Sequence, residues 1–368
     1  MEMNVSPHGI ENPAARLEAL SDFAGHQQLE ELQVYCDALA VATAVLVAQG
    51  GVVTLPDLPT IILPDLHARR ELFIDVLSAR LPEGPLAGEQ VFELLRAGRI
   101  NLLCVGDLVH SEQRDHWVIN RDGEWTQDLL DKEMVRSLGA GMMAMYLKIE
   151  YPEHFYCLRG NHDDIAGELA ADFRKFVGLK YNEQDELVYV DGQPYKTGDK
   201  GESQLVREWV LNREGWGQSF LEAWARFERG LPLLALGPYY VVTHTLPRSA
   251  VSAADLHNPT RPREASLELT SRRGIHREAI AGTLDDLGIG ERVQHWFYGH
   301  SMVSKETNGG RYEEGLDGLL VRLNSPKRHV FAYVPASTGE RRFEPERDVF
   351  IKDPGEGDFT CLAQSTPS

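Results

Sequence analysis

The chain is short of the features that would place it in a special class. It has only four cysteines, Cys36, Cys104, Cys157 and Cys361. None is spaced as in a zinc ribbon or a redox pair, which removes a disulfide scaffold and a structural zinc cluster from consideration. Cations are scarce as well: 37 Lys and Arg stand against 56 Asp and Glu, a formal net charge of −19. A broad phosphate-gripping face for nucleic acid is therefore not expected. No basic stretch followed by an apolar core opens the sequence, so no secretory signal is read. The most apolar stretch, residues 38–48, is too short to cross a bilayer and follows Asp37. No repeat or low-complexity tract occurs. Cys104 and Cys157 fall inside apolar runs, where buried reduced thiols are expected, and a cytoplasmic location is the corresponding expectation.

What is present is ordinary globular composition, 42% hydrophobic and 25% charged over 368 residues, and five polar blocks in a fixed setting. Pro64-Asp65-Leu66-His67, Gly106-Asp107-Leu108-Val109-His110, Arg159-Gly160-Asn161-His162-Asp163, Thr243-His244 and Gly299-His300 each follow an apolar run. Those runs, among them Thr60-Ile61-Ile62-Leu63 and Asn101-Leu102-Leu103-Cys104-Val105, have the length and residue types of buried strands. Asp, Asn and His just beyond several strand ends converge on one rim of a sheet. That donor mixture suits hard and borderline divalent cations.

The ordered series resembles the calcineurin-like metallophosphoesterase superfamily, whose pattern runs D-x-H, G-D-x-x-D, G-N-H-D/E, H and G-H-x-H. In motif style it is most similar to the phosphoprotein phosphatase branch. The resemblance covers residues 61–334 and implies an α/β fold: a layered β-sandwich flanked by helices, with the active site at the carboxyl ends of the strands. It also implies two divalent metal ions, manganese first, with iron and zinc as alternatives. Asp65 and His67 match ligands of the first metal, Asp107 matches the carboxylate shared by both, and Asn161, His244 and His300 match ligands of the second. His162 matches the residue that protonates the leaving oxygen, with Asp107 beside it in the catalytic set. The implied reaction is hydrolysis of phosphomonoesters by a hydroxide held on the metals, with a phosphorylated protein or small molecule as substrate. Serine/threonine protein phosphatase-like activity falls within that class. A phosphodiesterase or dinucleoside polyphosphate hydrolase is the alternative enzyme, and a catalytically weak scaffold on the same fold is the alternative of another class. No membrane partner is implied.

Two positions depart from the pattern. His110 stands where many members have an Asp that supports the catalytic His, and Met302 replaces the second His of G-H-x-H. Glu112, Asp163 or Asp164 would then be the carboxylate that orients His162, unless a backbone carbonyl does so. Arg114, Arg159 and Arg248 are the cations closest in sequence to the motifs, and Asn161 is a further group suited to a phosphoryl oxygen.

The remaining pattern divides the chain into a helical extension at 1–55, a metallophosphoesterase domain at 56–340 and a tail at 341–368. Helices are expected at 29–48, stopped by Gly50-Gly51, and at 126–150, stopped before Pro152. Inserts are expected near 176–206, with a hairpin turn at Asp191-Gly192, and near 248–290, bordering the active-site mouth. Residues 318–323 and 329–334 read as paired strands, and the tail after Glu344 as peripheral.

Overall fold

The computed structural model describes residues 15, 18–19, 32–81, 86–111, 127–169, 202–212, 215–258, 262–339, 341–355 and 357–365, with four two-residue strands between 178 and 197. Two sheets lie face to face. The five-stranded sheet has the order β11-β10-β2-β3-β4, built from β2 (Thr60–Leu63), β3 (Asn101–Cys104), β4 (Phe155–Cys157), β10 (His329–Val334) and β11 (Val349–Lys352). The six-stranded sheet runs β1-β5-β6-β7-β9-β8, from β1 (Val52–Thr54), β5 (Leu234–Leu236), β6 (Tyr240–Thr243), β7 (His295–Tyr298), β8 (Glu313–Gly315) and β9 (Leu320–Arg322).

The two-residue period of a strand sorts its side chains into two cores. In β2, β3 and β4, Ile62, Leu103 and Tyr156 point inward between the sheets, where Val242, Phe297 and Val321 meet them. Ile61, Leu102 and Phe155 point outward under a helical layer. That layer holds α1 (Leu32–Gln49), α2 (Arg70–Ser78), α3 (Gln127–Glu150) and α4 (Gly217–Gly230). The indole of Trp224 lies against Gly141 of α3, where a Cβ would come within 2.5 Å of its ring. On the far side, Val241, Trp296 and Leu320 of the six-stranded sheet pack under α5 (Arg263–Thr270) and α6 (Arg277–Asp286). Strands buried on both faces by this arrangement read as continuous apolar runs, as the sequence shows.

β2, β3 and β4 are parallel, as are β6, β7 and β9, so these ends point to the same rim. The motif-bearing strands and both long helices fall where expected. Other expectations change. The strands at 320–322 and 329–334 do not pair: β9 pairs with β7 and β8, β10 with β2 and β11. Instead they face each other across the inner core, Val321 and Leu323 against the layer of Val330, Ala332 and Val334. The short connection between them crosses from one sheet to the other, where sequence proximity alone suggested a hairpin. Nor is the tail peripheral, since Val349, Phe350 and Ile351 of β11 are buried at the edge of the five-stranded sheet. Val52–Thr54 likewise joins β5 as an edge strand. Most of 248–290 is the outer helical layer itself, burying Leu256, Leu269, Ile280 and Leu284. In the earlier insert, Tyr189–Val190 pairs with Gln193–Pro194, while the expected turn at Asp191-Gly192 lies outside the described residues. No helix among the described residues is long and apolar enough to cross a membrane.

Candidate metal centre

At the shared rim the backbone is tightly constrained. Beyond β2 and β3 the chains continue to bond, His67 N–H donating to Asp107 O at 2.6 Å and Ala68 N–H to Leu108 O at 3.1 Å. His67, Asp107, His110 and His300 all have positive φ, 44°, 52°, 75° and 65°. Non-glycine residues rarely hold that conformation, and clusters of it mark functional loops. Two glycines make room for carboxylates: a Cβ on Gly160 would lie 2.1 Å from Asp107 Oδ1, and one on Gly299 would lie 2.0 Å from Asp65 Oδ1. Glycine ahead of a ligand is thus a matter of space.

Asp107 Oδ2 is the centre of the arrangement. His67 Nε2 lies 3.6 Å from it, His244 Nε2 3.3 Å and His162 Nε2 4.0 Å. Ligand atoms of His67, Asp107 and His162 form one group within 4.8 Å of one another, and those of Asp65, Asp107 and His244 form a second. Asn161 Oδ1 is 3.0 Å from His244 Nε2, and His300 Nδ1 is 3.2 Å from the same nitrogen. The expected ligand set, Asp65, His67, Asp107, Asn161, His244 and His300, is therefore gathered at one place from both sheets.

The donor chemistry fits divalent cations. His67 Nδ1 faces the His110 carbonyl at 2.9 Å and His244 Nδ1 the Val105 carbonyl at 3.0 Å. Such carbonyls fix the tautomer and leave Nε2 with its lone pair aimed at the site. Burial lowers His244 to about 4, against the pull of Asp107, so the ring is neutral at pH 7. A neutral ring has one N–H, while His244 presents Nδ1 to one oxygen and Nε2 to another. Either tautomer turns a lone pair on an oxygen, at Val105 or at Asn161. A cation at Nε2 removes that conflict. Burial would raise Asp107, but the imidazoles of His244, His162 and His67 and the His162 N–H outweigh it and hold the carboxyl well below the usual range.

The supporting residues differ from those the sequence suggested. Asp163 serves the backbone of the loops: Oδ2 accepts from Asp107 N–H at 2.9 Å and Gly160 N–H at 2.7 Å, and Oδ1 from Leu108 N–H at 2.9 Å. It ties two motif loops together. Burial and the nearby Asp107 push it up to about 6, against those three amides. Arg159 is buried and braces the same loop, its Nε donating to Asp163 O at 3.0 Å and its Nη2 lying 3.5 Å from Asp164 Oδ1. Arg248 is exposed, with its backbone N–H bonded to Glu268 at 2.6 Å. Arg114 and Glu112 lie outside the described residues. Asp164 accepts from the Glu168 and Leu169 amides, so it caps a turn.

Three residues were not singled out by sequence. Asn324, fully buried just after β9, donates to Asp65 Oδ2, which also accepts from His300 N–H at 2.8 Å. It follows an apolar run as the five blocks do, and that signal could have found it. Arg273 lies in the basic stretch before α6 and brings Nε to 3.3 Å from His300 Nε2, placing an exposed cation at the rim. Glu133, on α3, has no local signal. Met302, at the position of the missing His, is 64% exposed and contributes nothing to the cluster. An apolar cavity lined by Val109, Met134, Leu138, Ile165, Val206 and Trp224 adjoins His110 and His162.

No family model matches the chain, and no curated protein does. Solved structures do. The fold is similar to a protein serine/threonine phosphatase from Saccharomyces cerevisiae described as resembling human phosphatase PP5, with a TM-score of 0.52 and 16% identity over 89% of this chain and 90% of that one. A cold-active protein tyrosine phosphatase aligns at a TM-score of 0.41 and 12% identity, covering 82% of this chain and 78% of the other. The chain shares the metallophosphoesterase fold of that serine/threonine phosphatase, and carries buried and half-buried His and Asp groups that could hold a metal ion.

Proposed function

We propose that the chain is a binuclear metal-dependent phosphoric ester hydrolase that prefers phosphomonoesters, on a phosphorylated protein or small molecule. The observation that carries this reading is the position of Asp107, whose carboxylate is common to both ligand groups. Asp65, His67 and Asp107 would hold one ion, and Asp107, Asn161, His244 and His300 the other, with manganese the first choice. Two such cations supply Lewis acidity toward phosphoryl oxygens and make water a nucleophile near neutral pH.

The chain's own groups do the rest. Asn161 and the exposed Arg273 and Arg248 offer donors to the terminal oxygens of a monoester dianion. His162, 12% exposed at its side chain, stands at the open edge with its backbone N–H fixed on Asp107 Oδ1 at 2.8 Å. It gives its proton to the leaving oxygen as the ester P–O bond breaks, so the alcohol departs neutral.

The test is metal analysis followed by hydrolysis of para-nitrophenyl phosphate and bis-para-nitrophenyl phosphate under one manganese loading. More than one metal per chain and higher catalytic efficiency on the monoester are expected. Higher efficiency on the diester would replace this reading with phosphodiester or dinucleoside polyphosphate hydrolysis. Background metal and no turnover would leave a scaffold.

A further inference from the structure

His110 stands where the resemblance puts a carboxylate, so the support of His162 has to be built differently. The two rings lie nearly parallel, centroids 5.2 Å apart and planes 25° from each other. His67 also meets the His162 ring edge-on, at 5.1 Å and 77°. His162 thus touches two imidazoles.

Glu133 stands behind His110. Its side chain has no exposed surface, and Oε1 lies 3.6 Å from His110 Nδ1. The same oxygen accepts from Ser111 N–H at 2.8 Å and from Ser137 Oγ at 3.1 Å, while Ser137 Oγ accepts from His110 N–H at 2.9 Å. Carboxylate, serine and the 110–111 backbone form one closed cluster at a residue whose φ is 75°. Burial would raise the Glu133 carboxyl, but His110, the Ser111 amide and Ser137 hold it below the usual carboxylate range, so the buried group is an anion. Burying an anion is costly unless it is paired and hydrogen-bonded, as Glu133 is here by Ser111 and Ser137.

We propose that Glu133 is a positioning residue for the hydrolytic reaction: it fixes the ring of His110, and through that stacked ring the orientation of His162. The negative charge that the family pattern places directly beside the proton donor lies here one imidazole further out, on the long helix α3. The Glu133–His110 pair replaces the single Asp. This rests on the assignment of His162 as proton donor, and a purely structural Glu133 would support the 110–111 turn without affecting proton donation.

Glu133→Gln keeps an oxygen for the Ser111 amide while removing the charge, so it separates the two roles. Expected is an unchanged metal content and KM, with kcat on an alkyl phosphate lowered about tenfold or more, the usual scale for a partner that orients a site residue. The loss should be much smaller on para-nitrophenyl phosphate, whose leaving group needs little protonation. In a His162→Ala background Glu133→Gln should have no further effect. The His162 ring resonances, followed by NMR in the metal-free protein, should shift in the variant. Equal loss on both leaving groups, an additional loss without His162, or unmoved His162 resonances would overturn the proposal. Glu133→Asp retains the charge and should give an intermediate loss; if Glu133→Gln does not fold, the His162 resonances of Glu133→Asp decide the question. Absence of any turnover by the wild type would remove the proposed function, while the resonances would still report whether Glu133 sets the orientation of His162.

Discussion

The two sheets contribute unlike walls to the same rim. The five-stranded sheet supplies every carboxylate of the cluster, Asp65 and Asp107 with Asp163 beneath them, and three of the four positive-φ residues that line it, His67, Asp107 and His110. The six-stranded sheet supplies His244 and His300, imidazole donors on loops that carry one such residue, His300. Carboxylate charge and most of the strained backbone thus sit on one wall, and the other wall closes over it with imidazoles. Placing like charges on one continuous backbone lets a single buttress, Asp163, hold two loops at once through three amides. A wall of imidazoles then adds ligands without adding carboxylate repulsion.

Removing the charge that both metal groups share should break this comparison most severely. Asp107→Ala is expected to bring metal content close to background by elemental analysis and to abolish turnover, whereas His300→Ala should retain part of the metal. Equal metal loss in both variants would mean the walls do not differ as described.

The contact between the walls comes next. Gly299→Ala would place a Cβ 2.0 Å from Asp65 Oδ1, forcing a carboxylate of one wall away from a glycine of the other. Metal affinity should fall about tenfold or more, measured by competition with a chelator, with little change in helix content. Wild-type affinity would show that the Asp65 carboxylate has room to move.

His162 belongs to the charged wall without being needed for its ligands. His162→Ala should keep its metal and lose about a hundredfold or more in kcat on alkyl phosphates, and less on para-nitrophenyl phosphate. A parallel loss of metal would instead make it a ligand, as its proximity to Asp107 allows.

The smallest effect is expected at the opposite end of the same sheet. Lys148, buried on α3, donates to Pro152 O and Phe155 O at the start of β4, and burial pulls its ammonium down from 10.5 to about 7. Between those pH values the unfolded chain binds the proton and the folded one releases it, so this group makes stability rise with pH from 7 to 10.5 and has no pH effect below 7. The urea midpoint of Lys148→Met minus that of wild type should therefore drift downward as pH rises from neutral, with no change in metal content. A constant difference would show that the ammonium stays charged in the fold.

Much of this was legible in the order of the residues. Apolar runs of strand length, each closed by Asp, Asn or His, located β2, β3, β4, β6 and β7 and the ligand cluster beyond them. Local pattern carries that information because a strand's period and a glycine's small volume act within a few residues. The role of Asp163 was not legible, because its partners are the amides of Asp107 and Leu108, more than fifty positions earlier in the chain. Nor was the crossing between sheets after β9, since two neighbouring apolar segments make equally good strands whether they pair edge to edge or pack face to face.

The sequence by itself determined which chemistry could occur: a fixed order of hard and borderline donors at strand ends, a shortage of cations, and a missing Asp at His110. Only the tertiary structure decided which of these groups meet. Asp65 and the His300 amide are separated by 235 positions and lie 2.8 Å apart, and Glu133 reaches His110 from a helix with no motif of its own. Such contacts depend on how parallel strands align their carboxyl ends and how two buried faces interlock, and those are properties of packing that no local stretch of residues specifies.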